Sequence, residues 1–152
     1  MVQIGGATGQ DAILFLQDLI EGYIKDEKGN DIRITYTNPK EINQIPRVVL
    51  FAEEEQMKFL SIPAIRRRWT APFTLRIWAI NVAQRYAIKQ SIQARLDDLS
   101  HPDVQLAENY VYMWFESHDT TPEVRQFGQP IFKAVFTITL KYDTLTQQAG
   151  TP

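Results

Sequence analysis

Residues 131–143, IFKAVFTITLKYD, alternate almost without a break. Phe132, Ala134, Phe136, Ile138, Leu140 and Tyr142 interleave with Lys133, Val135, Thr137, Thr139 and Lys141. Successive side chains of a strand point to opposite faces, so this pattern predicts one long strand with a buried face and a wetter one. Its length is about 40 Å at roughly 3.3 Å per residue. A strand of that length cannot bury its apolar face alone. It needs neighbours in a sheet and a layer packed on top.

The neighbours are legible. Phe73–Val82, FTLRIWAINV, sets Phe73, Leu75 and Ile77 against Trp78, Ile80 and Val82, which predicts a central strand covered on both sides. Arg47–Ala52 reads as a short apolar strand ending at Glu53, Glu54 and Glu55. Asp31–Thr37 alternates Ile32, Ile34 and Tyr36 with polar residues, a half-buried strand broken by Asn38-Pro39. Asn109–Ser117 is a strand rich in aromatics, and the polar loop 118–130 follows it. Pro63 and Pro72 bracket PAIRRRWTAP, which reads as irregular.

Two stretches carry helical spacing. Residues 11–25 repeat Ile13, Leu16, Ile20 and Ile24, widened by Leu19 and Tyr23, with Thr8 or Asp11 as the cap. Residues 84–99 repeat Ile88, Ile92, Leu96 and Leu99 with charges opposite. The expected fold is α+β: a mostly antiparallel sheet with two main helices packed on it, in the order α-β-β-β-α-β-β. The expected divisions are a flexible lead-in at 1–10, one domain at 11–143 and a polar tail at 144–152.

Composition narrows the chemistry. With 44% hydrophobic and 22% charged residues in 152, a single folded core is expected rather than disorder. No apolar run reaches the ~20 residues of a membrane helix, and the N-terminus lacks a basic signal region, so the expectation is a chain made in the cytoplasm with no membrane contact. Cysteine is absent, which removes thiolate metal sites and cysteine nucleophiles.

The glycines of IGGATGQDA fit a loose dinucleotide fingerprint. That fingerprint requires a strand before it and, after the helix, a second strand with an acid near its end. Only Met1–Ile4 precedes the turn, and DIRITYT ends in threonine, so a lead-in and helix entrance is the better reading. His101 and His118 lack metal-binding spacing, and no serine sits in a G-x-S-x-G elbow. The expectation is no catalytic residue, no metal, no cofactor and no enzymatic function.

Arg66-Arg67-Arg68-Trp69 is the most pointed cluster. Its guanidiniums and indole suit solvation or an intrachain pair, a carboxylate row such as Glu53–Glu55 on a neighbouring subunit, or the phosphates and bases of nucleic acid. In an extended segment Arg66 and Arg68 point one way and Arg67 the other. Arg125 and Phe127, in the long 118–130 loop, are further contact candidates. Charge is segregated: residues 47–95 carry nine Lys/Arg against three Glu, residues 1–46 four against seven, and residues 96–152 three against eight. Such an arrangement suits either uneven solvation or two complementary docking faces.

In element order and texture the chain resembles the tail terminator, or tail-completion, proteins of long-tailed bacteriophages. DAILFLQDLI, FTLRIWAINV with YAIKQSIQARLDDL, and FKAVFTITLKYD carry the likeness across residues 10–143. The resemblance implies a structural virion protein of the tail or neck. It would form a homo-oligomeric ring, commonly a hexamer, that caps the tail tube protein and meets the head-side connector. DNA would pass through the lumen without specific binding. Another neck, head-completion or baseplate ring component, or a small nucleic-acid-binding module, are the alternatives.

Overall fold

The structure is a computed structural model, and it describes residues 9–54, 56–61, 65–101, 112–120 and 126–146. Helix α1 spans Gly9–Ile20 and α2 spans Val82–Leu99. The strands are β1 (Ile34–Thr35), β2 (Arg47–Ala52), β3 (Gln56–Ser61), β4 (Ile65–Ala79), β5 (Tyr112–Asp119) and β6 (Phe132–Thr146). They form a six-stranded sheet in the order β1-β2-β4-β6-β5, with β3 also pairing β4. Every pairing is antiparallel except β1 with β2, so the fold is α+β.

The alternation in 131–143 builds half of the central ladder. β6 pairs β4 from Ile65↔Thr146 to Ala79↔Phe132, along all 15 residues of each strand. The even positions of β6 from Ala134 to Tyr142 and the odd positions of β4 from Trp69 to Ile77 are buried on one face. α1 and α2 cover that face. Phe15, Leu16 and Ile20 come from α1, and Ile88, Ile92, Leu96 and Leu99 from α2, all in one core cluster.

The segment read as irregular is strand. PAIRRRWTAP contributes the first half of β4, and β3 is an additional strand beside it. The reason lies in how Pro72 is placed. β2 ends at Ala52↔Phe73 and β3 begins at Gln56↔Thr70, so three residues, 53–55, oppose two, 71–72. β2 and β3 are therefore two halves of one edge, interrupted by a bulge. The Pro72 carbonyl accepts the Glu53 amide at 2.9 Å. In a strand the N–H and C=O of one residue face the same side. The donor that Pro72 lacks falls on the bulged side, and the ladder to β6 is intact.

Other boundaries also differ from the pattern: β6 continues to Thr146, into the stretch expected as tail, and β5 to Asp119. α1 stops at Ile20, not 25, because the chain reverses at Gly22, whose φ of +87° is open to glycine. Arg95 then closes the helix end, its Nε donating to the Leu19 carbonyl at 2.7 Å. Tyr23 consequently leaves the apolar stripe. It is 50% exposed, with the Arg95 guanidinium 3.8 Å from its ring centroid. Asp11 lies within α1 and is not its cap, while Thr8 lies outside the described residues. DIRITYT forms a ladder only at Ile34 and Thr35, and that ladder is parallel to β2.

Among the described residues, the second face of the sheet is covered only at one corner. There Trp78 and Val49 pack with Ile45 and Ile131, flanked by Phe51 and Phe127. Ile80 and Val82 do not extend that face. β4 has ended at Ala79, Asn81 caps α2, and both side chains are exposed. Other described positions of this face, such as Thr74, Thr137 and Trp114, are half-buried or exposed.

Candidate functional site: two unlike edges of the sheet

Among the described residues, β5 has a partner only in β6, and β3 only in β4. β1 pairs β2 only at Val48 and Val49, so Leu50–Ala52 have no outer ladder partner among the described residues. The sheet thus has two edges available for further pairing, on opposite sides of β4 and β6.

The β2–β3 edge carries the acidic row. Glu53 and Glu54 sit in the bulge and are exposed. The Glu53 carboxylate accepts from Thr74 Oγ1 at 3.2 Å, which orients it along the sheet. Glu55 lies outside the described residues. Beside this edge Ile13, Leu14, Tyr36, Leu50, Phe51 and Ala52 line an apolar groove of about 310 Å³.

The arginine–tryptophan cluster lies on β4 and is divided by the strand's pleat. Arg66 pairs with Leu145 in the ladder, and Arg67 and Arg68 are half-buried on opposite faces. Arg68 is held by Asp143 through Nε–Oδ1 at 2.9 Å and Nη2–Oδ2 at 3.2 Å. That bidentate hydrogen bonding to Asp143 raises the Arg68 pKa, so the group is charged throughout the working range. Trp69 is 9% exposed and stacks on Tyr142 at 6.4 Å between centroids. The indole is a core group, not a platform open to bases.

Phe127 is half-buried against the Trp78 corner, with φ +57° in a turn completed by Gly128. Arg125 lies outside the described residues. His101 is exposed after α2 and His118 is exposed on β5. No group of three or more His, Asp or Glu is placed to hold a metal ion among the described residues. No described helix is long and apolar enough to cross a membrane.

The β5 edge carries a feature the sequence reading missed. Val82, Arg85, Tyr86, Lys89, Gln90 and Gln93 of α2 form a cleft of about 290 Å³ with Asp119 at the end of β5. Lys89 Nζ lies 3.0 Å from Asp119 Oδ1, and Arg85 Nη2 lies 3.7 Å from Oδ2. The Arg85 guanidinium also sits 5.6 Å from the Phe132 ring centroid, which fixes its position. Residues 82, 86, 89 and 93 follow helical spacing on the face away from Ile88 and Ile92, so half of the cleft was legible. Asp119 is 30 positions from Lys89, and no local pattern links them.

Comparison with protein families and with curated proteins finds no match for this chain.

Proposed function

We propose that the chain is a structural subunit of a phage tail or neck, a tail terminator that assembles head to tail into a closed ring. The observation that carries this reading is the pair of unlike edges. One presents an acidic bulge and an apolar groove, and the other a cleft lined by Arg85 and Lys89. A surface that meets a different surface on the next copy is heterologous, and such contacts close into rings when the rotation is right. Between the edges lies the long β4–β6 ladder, a stiff element able to hold the two surfaces at a constant angle.

In this reading the ring sits on the last ring of the tail tube protein and stops its growth. Its other side receives the head-side connector, and DNA crosses the lumen without sequence-specific contacts. The protein acts by shape and charge complementarity, without catalysis or cofactor. It is made in the host cytoplasm and resides in the virion. The same geometry suits another neck or baseplate ring. The burial of Trp69 takes from the nucleic-acid alternative the stacking group on which it was based.

Negative-stain imaging of the purified chain tests the proposal. Rings with a central opening are the expected particles. Uniform single-subunit particles at every concentration contradict it.

A further inference from the structure

Asp119 leaves the cleft of α2 and β5 with an incomplete charge balance. Among the described residues, two cations, Arg85 and Lys89, share this one carboxylate. Lys89 is within hydrogen-bonding distance of it, while Arg85 at 3.7 Å is not. The walls are half apolar, with Val82 and Tyr86 54% and 62% exposed. A half-enclosed site with a spare positive charge and an apolar rim suits a carboxylate presented on a protein surface.

The matching surface is on the opposite edge of the same chain. A bulge bends its strand and turns residues out of the ladder. Glu53 and Glu54 stand at that point, beside the apolar groove of Leu14 and Tyr36. The other acids on the described strands do not serve. Glu116 lies on β5 itself, on the cleft's own edge, and Asp143 is committed to Arg68. We infer that the Arg85–Lys89 cleft receives the Glu53–Glu54 bulge of the next copy, a charge-paired contact that sets the head-to-tail direction of assembly. This inference rests on the ring-forming reading and names its contact. It places the acidic row against Arg85 and Lys89 rather than against Arg68, which already has a carboxylate in Asp143.

One variant separates docking from an intrachain role. Asp119→Asn removes the internal competitor and leaves both cations to the incoming glutamates. A docking cleft then binds more tightly, whereas a purely structural ion pair only loses stability. The reversals Glu53→Arg/Glu54→Arg and Arg85→Glu/Lys89→Glu should each weaken association about tenfold or more, and combining all four should recover much of it. Added salt should weaken the wild-type contact.

The experiment is sedimentation velocity of the full-length chain over a concentration series for these variants, with circular dichroism melts to verify folding. If Arg85→Glu/Lys89→Glu does not fold, Arg85→Gln/Lys89→Gln carries the same arm. Loss in both reversals, recovery in the fourfold variant and tightening in Asp119→Asn are the expected results. Wild-type rings with unchanged association in the cleft variants overturn the inference and leave the ring reading standing. A wild-type chain that stays monomeric throughout overturns both.

Discussion

Arg68 on β4 and Asp143 on β6 stand directly opposite each other and close a forked ion pair, 2.9 Å and 3.2 Å across its two arms. On the next rung Trp69 and Tyr142 are paired in the ladder and stacked on the other face. The two rungs tie the end of the β4–β6 ladder together with a charge pair outside and an aromatic pair inside. The arginine-rich segment, conspicuous in the sequence as a binding motif, is thereby part of the frame.

The pair is partly shielded, so its worth lies near the upper end for surface pairs. A double-mutant cycle of Arg68→Ala and Asp143→Ala should give a coupling of about 1 kcal/mol, falling with salt. A coupling near zero in urea titrations would mean that the fork adds nothing to stability.

Proline is tolerated at 72 and should not be tolerated two residues on. Thr74 pairs with Phe51 where the β2 ladder is intact, and its donor faces the same side as that of Pro72. Thr74→Pro should destabilise by about 3 kcal/mol or more, and Pro72→Ala by about 1 kcal/mol or less. Equal effects of the two would contradict the bulge as the reason for proline at this position.

At the start of α2, Asn81 Oδ1 accepts the Gln84 amide at 2.7 Å, and Gln84 Oε1 accepts the Ile80 amide at 3.0 Å. This is a variant of the reciprocal capping box, in which the glutamine reaches one residue further back. Asn81→Ala should cost about 1 kcal/mol and Asn81→Ser very little. Thermal melts of the two variants check the difference.

The turn after α1 has a pH dependence of definite sign. Desolvation slightly raises the Asp26 pKa, but amide hydrogen bonds from Asn30 and Lys28 win, so the carboxyl sits below its usual value. A carboxyl lowered in the folded state stabilises the protein above its unfolded pKa of about 4, and that contribution disappears as pH falls through the folded value. The Tm gap between wild type and Asp26→Asn should therefore be widest above pH ~5 and close towards pH ~2. A gap independent of pH would contradict it.

What could be read from sequence followed from how local each determinant is. β2 spans the residues its apolar run predicts, and the stripe Ile88, Ile92, Leu96, Leu99 is buried as its spacing requires. Those signals lie within one element. β3 and the first half of β4 were hidden because Pro63 and Pro72 read as breaks, and only the pairing partner reveals that Pro72 faces a bulge. Tyr23 fits the helical period but follows Gly22, whose positive φ is a backbone property that period alone does not register. At the candidate site, the acidic row was visible, and of α2 only that its outer face is charged. Asp119, which turns that face into a cleft, enters through the β5–β6 pairing.

Native mass spectrometry of the wild-type chain across a concentration series decides whether it forms a ring. A ring-forming chain gives a closed oligomer, six copies of the 17.6 kDa chain at about 106 kDa, with no ladder of open intermediates. A monomer at every concentration, or a two-fold dimer that buries the same surface on both copies, would contradict it.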